Sequence, residues 1–175
     1  MKKFCDMIVV LLCTLLVLTG CKGNDTKVFK YLKMQQNFVG NPSYNGGKYT
    51  VKFIVNDDLS YSLNISDQSG MYDELKDYSV EGTQMEYLGC HIEKYESTSW
   101  GITTHWKVYI HVIKFPEATI ENHGTTLAFY LLAHCDSKHA DTFTLELLPA
   151  NSTYDESDIS NIASSIYKGY AMKVA

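Results

Sequence analysis

One segment of this chain constrains its fold more than any other, because both of its alternating faces are apolar. Between Thr126 and Cys135, one face consists of Leu127, Phe129, Leu131 and Ala133, and the other of Ala128, Tyr130 and Leu132. A strand of this kind is typical of the centre of a sheet that is covered on both sides. The segment therefore predicts a domain organised around a sheet, with a packing layer on each face of its central strand.

Five other segments alternate apolar and polar residues with a period of two, which indicates strands with one buried face. The first two flank an Asn-Asp-Asp turn and predict a hairpin, and the next two predict a second hairpin. The five segments are residues 49–55, 61–65, 85–95, 104–115 and 143–147. Together with the central strand they predict about six strands.

The run 104–115 has the clearest alternation. Its even positions form an apolar face, consisting of Trp106, Val108, Ile110 and Val112. The other face carries His105 and His111. This pattern predicts a strand with its even-numbered side chains on the buried face, followed by a polar connection over residues 117–124.

The last segment changes period. Apolar residues recur there at spacings of three and four, as in an amphipathic helix: Ile159, Ile162, Ala163, Ile166, Tyr167 and Tyr170. Thr153 and Glu156 have the spacing of a capping box, and Gly169 would end the helix. The fold class predicted is α+β, an antiparallel sheet of about six strands with a C-terminal amphipathic helix packed on it. The alternative is a β-sandwich with a peripheral helix.

The strand at 143–147 followed by the stripe of Ile159, Ile162 and Ile166 resembles the ending of PsbP-like lipoproteins. In that family a final strand leads into a helix packed across an antiparallel sheet. The resemblance rests on pattern alone and implies an assembly or binding role more often than catalysis. It carries no functional residue over to this chain.

The first residues have the form of a secretory signal. Lys2 and Lys3 precede an apolar run over residues 7–18, which is shorter than the roughly 20 residues of a spanning helix. The run ends in Leu18-Thr19-Gly20-Cys21, which resembles the lipobox of bacterial lipoproteins. In that family the cysteine carries a diacylglyceryl group and becomes the first residue of the mature chain. Cys21 is thus the expected lipidation site, and an ordinary signal peptide is the alternative.

This resemblance implies a domain organisation and an address. Residues 1–20 would be a cleaved signal peptide, residues 21–48 a lipidated cysteine with a tether and an N-terminal segment, and residues 49–175 one globular domain. Within the second segment, residues 28–38 predict either a short helix or an edge strand. The mature protein would be exported and anchored by its lipid to the bacterial cell membrane or outer membrane.

Charge excludes one class of partner. The chain contains no arginine, and removal of residues 1–20 changes its formal charge from −5 to −6, since two lysines and one aspartate leave. Nucleic-acid-binding proteins normally present a basic face rich in arginine. Nucleic acid is therefore not an expected partner, and a protein is.

Two cysteines, Cys90 and Cys135, remain in the predicted domain after Cys5, Cys13 and Cys21 are assigned to the signal and the anchor. In an exported domain two cysteines predict a disulfide, with two buried free thiols as the alternative. Cys135 also belongs to a second hypothesis. With His134 and His139 it forms a candidate metal site, although a strand end that runs into a polar loop explains the same residues.

No catalytic residue is assigned, since the sequence contains none of the common catalytic or phosphate-binding motifs. The sequence predicts a non-enzymatic binding module with no cofactor beyond the covalent lipid. One specific form is an immunity or inhibitor lipoprotein whose acidic domain covers a basic toxin or hydrolase. The alternatives are a metal- or small-ligand-binding lipoprotein and a thiol hydrolase that uses one of the cysteines with a histidine.

Overall fold

The computed structural model describes residues 22–40, 48–70, 72–151 and 154–175, in which one antiparallel sheet of nine strands is the main element. The helices are α1 (Lys22–Gln35) and α2 (Ser160–Ala163), with a 3₁₀ turn at Asp73–Leu75. The strands are β1 (Asn37–Gly40), β2 (Tyr49–Val55), β3 (Tyr61–Asp67), β4 (Tyr78–Gly82), β5 (Glu86–Ser99), β6 (Ile102–Asn122), β7 (Thr125–Cys135), β8 (Thr144–Asn151) and β9 (Tyr170–Val174). Their order across the sheet is β4-β3-β2-β1-β9-β8-β7-β6-β5.

The larger core lies between the two halves of this sheet, which curl toward each other. The Phe115 ring of β6 contacts Phe53 of β2 at 5.4 Å and Tyr61 of β3 at 4.8 Å between ring centroids. Tyr78 of β4 stacks on Phe129 of β7 at 5.2 Å. These aromatic contacts join strands that are far apart in the order of the sheet, and such pairs stabilise a core beyond their buried area.

Helix α1 belongs to the same core. Its buried residues Val28, Tyr31 and Leu32 have the spacing of one helical face. Tyr31 lies 5.5 Å from the Phe143 ring. The segment 28–38, for which the sequence left a helix and an edge strand open, thus contains the end of a helix and the start of β1.

Strand β6 is longer than the sequence predicted. Residues 117–124, expected to be a polar connection, instead continue β6 and its turn into β7, so that prediction is wrong. A bulge between Phe115 and Thr119 makes the continuation possible. Glu117 in this bulge accepts hydrogen bonds from the Thr83 amide (3.1 Å) and hydroxyl (2.6 Å), which lower the pKa of its carboxyl. The carboxylate joins β6 to the end of β4.

The second face of β6, β7 and β8 is covered by the chain around α2. Ile162, Ala163 and Ile166 are buried against side chains such as Tyr130 and Leu132. The central strand 126–135 is therefore buried on both faces as predicted. The hairpin of 49–55 and 61–65 is also confirmed, with Val55 opposite Tyr61.

The predicted fold class is wrong, both in its number of strands and in its terminal helix. Helix α2 has only four residues, and the chain then turns at Tyr167 and forms β9 between β1 and β8. The periodicity correctly indicated that Ile162 and Ile166 share a buried side, but β9 satisfies the backbone groups of two neighbouring strand edges, which a helix cannot do. Glu156, the expected capping residue, instead binds Lys114 and the Tyr130 hydroxyl; Thr153 lies outside the described residues.

The β-sandwich with a peripheral helix is equally inconsistent with a single continuous sheet. Strands β4 and β9 were missed altogether, and β1 was covered only by the edge-strand alternative for residues 28–38. These three strands have four or five residues each, which is too short for alternation alone to identify them.

Candidate binding surface

The β5–β6 hairpin extends beyond the rest of the sheet. β6 pairs with β7 only as far as Tyr109, opposite Cys135, whereas its pairing with β5 continues to Ile102, opposite Ser99. Residues 93–108, called the finger below, therefore form a two-stranded ribbon. Seven residue pairs beyond the last β6–β7 pair, at about 3.3 Å each, give it a length of roughly 20–25 Å.

A two-residue turn, Trp100-Gly101, ends the finger. Its φ angles are 52° and 75°, and positive φ at both positions is the property of a type I′ hairpin turn. The Trp100 side chain is 99% exposed. A bulky side chain at positive φ is strained, and such strain persists mainly where a site requires it. The tip thus presents a large apolar group on a convex surface.

One side of the finger carries a stacked aromatic pair. The rings of Tyr95 and Trp106 lie 5.6 Å apart with an interplanar angle of 15°. Burial raises the pKa of the Tyr95 hydroxyl, and the nearby Glu93 and Tyr167 raise it further. Trp106 is still 43% exposed, since Tyr95 covers only one face of its indole.

At the base of the finger, where β7 has ended, an open notch of about 490 Å³ lies between β6, the β7–β8 loop and the turn before β9. Its polar and aromatic lining consists of Trp106, His134, Cys135, Asp136, Thr142, Phe143, Thr144 and Tyr167. Trp106 and Tyr167 are partly exposed, whereas Phe143 is buried. The notch and the Trp100 tip are distinct surfaces, separated by the four strand residues 102–105.

Beneath the notch, His134 and Glu146 form a buried pair with side chains only 10% and 4% exposed. His134 Nε2 lies 3.3 Å from Glu146 Oε1, yet makes no hydrogen bond of good geometry within the described part of the chain. Glu146 Oε2 accepts a 2.8 Å hydrogen bond from the Tyr167 amide. Tyr167 has a φ of 69° and packs edge-on against the imidazole at 5.4 Å. The buried carboxylate thus holds a strained, 57% exposed tyrosine over the histidine.

The residues of the predicted metal site do not come together. His134 and Cys135 are consecutive in a strand and point to opposite faces of the sheet. His134 packs under Tyr167, while Cys135 lies against the larger core. In the described ranges, no group of three His, Cys, Asp or Glu side chains could hold a metal ion, with His139 or otherwise.

The two cysteines expected to form a disulfide are not joined to each other in the structure. They do lie on the same face of the sheet, but on β5 and β7, with β6 between them. Two strand spacings separate their Cα atoms by roughly 10 Å, and a disulfide requires less than about 7 Å. The bridge is not formed in this fold. Cys21, the expected lipidation site, lies outside the described residues.

A cysteine and a histidine do meet inside the larger core. Cys90 Sγ is 3.9 Å from His111 Nε2, and His111 Nδ1 is 3.0 Å from the Tyr87 hydroxyl. Burial lowers the pKa of His111 to about 4, so the imidazole is neutral at pH 7. A catalytic thiolate is normally stabilised by a nearby cation, and this imidazole does not supply one. His91 does not join the cluster, because it lies opposite Ile110 on the other face of the sheet.

Sequence reasoning missed the two residues that are most unusual in the structure, Trp100 and Tyr167. Trp100 was passed over as part of a connection, and only the Gly101 that follows it matches the residue preference of a two-residue type I′ turn. Tyr167 was assigned to the apolar side of a helix. Its exposure depends on where the helix ends, which the periodicity does not show.

No helix in the ranges that the structure describes is long and apolar enough to cross a membrane. Comparison of the chain with protein-family models, with curated proteins and with solved structures found no match.

Proposed function

We propose that this chain is a lipid-anchored protein of the bacterial cell envelope whose domain is a non-enzymatic binding module. The module engages a protein partner through the tip of the finger. The observation that carries the proposal is Trp100, a fully exposed and conformationally strained indole at the end of a projecting hairpin.

Exposure of this kind is unusual for tryptophan, because burial of a large aromatic side chain is strongly favourable. Tryptophan is among the residues that contribute most to protein–protein affinity, above all when it fills a pocket of the partner. Ile102, 70% exposed on the next residue pair, adds to the same apolar end. Gly or Asn at position 100 would avoid the backbone strain of the turn, and a buried tryptophan would be more favourable than an exposed one. An exposed tryptophan at this position therefore supports a contact role for the tip.

The shape of the finger supports a partner with a concave surface. A ribbon roughly 20–25 Å long and two strands wide fits a cleft better than a flat surface. The charges along it balance, with Glu93 and Glu96 against Lys94 and Lys107. The net negative charge of the chain would instead attract a basic partner over a longer range. An immunity or inhibitor lipoprotein that inserts its finger into the cleft of a basic toxin or hydrolase fits this combination.

The proposal is tested by affinity capture with the full-length chain carrying a C-terminal tag, from the envelope and culture fluid of its host. We expect one stoichiometric basic protein in the eluate. Trp100→Asn should lower its recovery at least tenfold, since Asn suits the turn but removes the indole.

The matched control is His123→Asn. His123-Gly124 is the equivalent two-residue turn of the β6–β7 hairpin, with φ angles of 49° and 79°. This variant makes the same backbone change at a different tip and should capture the partner normally. Equal recovery with Trp100→Asn, or equal loss with His123→Asn, would contradict the proposal.

The anchor is tested on its own with Cys21→Ser. We expect the wild-type chain to incorporate labelled palmitate and to sediment with membranes, because two or more acyl chains attach a protein stably. The variant should lose both the label and the sedimentation. Palmitate labelling that survives the substitution would contradict lipidation at this residue.

A further inference from the structure

We propose that the notch at the base of the finger binds a neutral carbohydrate, with the ring face of one sugar unit packed on Trp106 and its hydroxyl groups bound by the polar lining. This inference is independent of the partner proposed for the tip, because it depends on different residues.

The aromatic part of the notch provides the stacking surface. Tyr95 covers one face of the Trp106 indole in a nearly parallel stack, and this fixes the orientation of the ring. The Trp106 ring lines the notch, and Tyr95 does not. The face of an aromatic ring carries partial negative charge, which complements the weakly positive C–H groups on one face of a pyranose. Tyr167 provides a second ring in the lining.

The polar part of the notch contains both donors and acceptors. Thr142 and Thr144 have hydroxyl groups, and Asp136 has a carboxylate. His134 has an imidazole nitrogen that is buried and makes no hydrogen bond of good geometry within the described residues. This nitrogen faces Glu146 Oε1 at 3.3 Å and is not accessible from the notch, so the imidazole supports the Tyr167 ring and does not contact a ligand.

The same lining disfavours anionic ligands. No lysine of the described residues lines the notch, and Asp136 does, so an anionic group would meet a like charge there. A quaternary ammonium ion would suit the aromatic rings and the Asp136 carboxylate, but it has no donors or acceptors for the two threonines. A ligand with an apolar face and several hydroxyls uses all of these groups. The notch is also open, which suits one unit of a longer glycan.

The construction of the notch supports a binding role. Tyr167 is held at positive φ by the buried carboxylate of Glu146, at the cost of backbone strain. The chain has five described non-glycine residues at positive φ, and its two exposed aromatic examples are Trp100 and Tyr167. Trp100 lies at the tip of the finger and Tyr167 lies in the notch.

Fluorescence provides a direct test, because the chain has only two tryptophans. Trp100→Phe leaves Trp106 as the only indole in the full-length protein, purified in a detergent without a sugar headgroup. The probes are chitotetraose for N-acetylated cell-wall glycans, and cellotetraose and maltotetraose for neutral hexose polymers. We expect a saturable blue shift with at least one of them, and the preferred probe distinguishes the two sources. Glycerol and choline chloride are the controls and should produce no shift.

Variants then locate the site. In this background, Tyr167→Asn should raise the dissociation constant about tenfold or more, the effect expected for loss of an aromatic contact. Trp106→Ala, measured by calorimetry, should do the same. Tyr95→Phe keeps the stacked ring and should bind normally. Trp100→Asn should bind sugar normally while it loses the protein partner, and Tyr167→Asn should do the reverse.

The proposal is overturned if none of the three oligosaccharides produces a saturable shift, or if choline does so in their place. Sugar binding that survives both Tyr167→Asn and Trp106→Ala would also overturn it. A failure of the finger proposal would leave these measurements unaffected, since none of them requires a protein partner.

Discussion

The two halves of strand β6 have the same sequence pattern and opposite environments. Ile110 and Val112 are fully buried beneath the chain around α2, whereas Ile102 and Trp106, on the same face of the same strand, are 70% and 43% exposed. The difference lies in the neighbours. The inner half has β7 beside it and a packing layer above it, while the outer half has only β5. An alternating pattern therefore shows which side chains share a face, and not whether that face is covered.

Removal of an aromatic ring should lower the free energy of unfolding far more in the core than in the finger, and this is the largest expected effect. Phe115 is fully buried between Phe53 and Tyr61, so Phe115→Ala should lower the free energy of unfolding by about 3–5 kcal/mol. Trp106→Ala, on the finger, should lower it by about 1 kcal/mol or less, since its ring is half exposed. Urea denaturation of both variants measures the contrast. Similar losses would mean that the finger is packed against something in solution.

Acid should weaken the core and leave the finger unaffected. The pKa of His111 is lowered by burial from 6.5 to about 4, so between these values the unfolded chain binds more protons and stability falls as the pH falls. A histidine with these two pKa values loses roughly 2 kcal/mol between pH 7 and pH 5, and little changes above pH 7.5.

His111→Gln should remove this pH dependence, which urea denaturation at the two pH values measures. The control is His105→Gln on the finger, where the side chain is 70% exposed. That variant should retain the wild-type pH dependence. The groups that face His111 are the Tyr87 hydroxyl and the Cys90 thiol, both neutral in this range. A wild-type protein equally stable at both pH values would contradict the assignment.

The smallest expected effect is a gain in stability. Trp100→Asn and His123→Asn both place Asn before Gly in a type I′ turn, the preferred pair for that conformation. Each should raise the free energy of unfolding by about 0.5–1 kcal/mol through relief of strain. Thermal unfolding would measure both. A loss of stability with Trp100→Asn alone would mean that the indole packs on the domain, which the finger proposal does not allow.

Much of the sheet could be predicted from the sequence, because strands of seven or more residues have a recognisable alternation. The hairpin from Tyr49 and the doubly apolar strand β7 follow from local pattern alone. The register of β5 could not be predicted from local pattern. A bulge between Tyr87 and Gly89 changes the face on which the following residues lie, so Cys90 pairs with His111 and His91 with Ile110. His91 and His111 therefore lie on opposite faces of the sheet.

Sequence by itself determined which of the longer segments of this protein extend and, outside the β5 bulge, which of their residues share a face. The tertiary structure decided which of those faces are covered and which strands pair with each other. It placed β9 between β1 and β8, although β1 and β9 are more than a hundred residues apart. It also put β6 between the two cysteines and left Trp100 and Trp106 exposed. These outcomes depend on contacts between distant segments, and a local pattern carries no information about what lies opposite it.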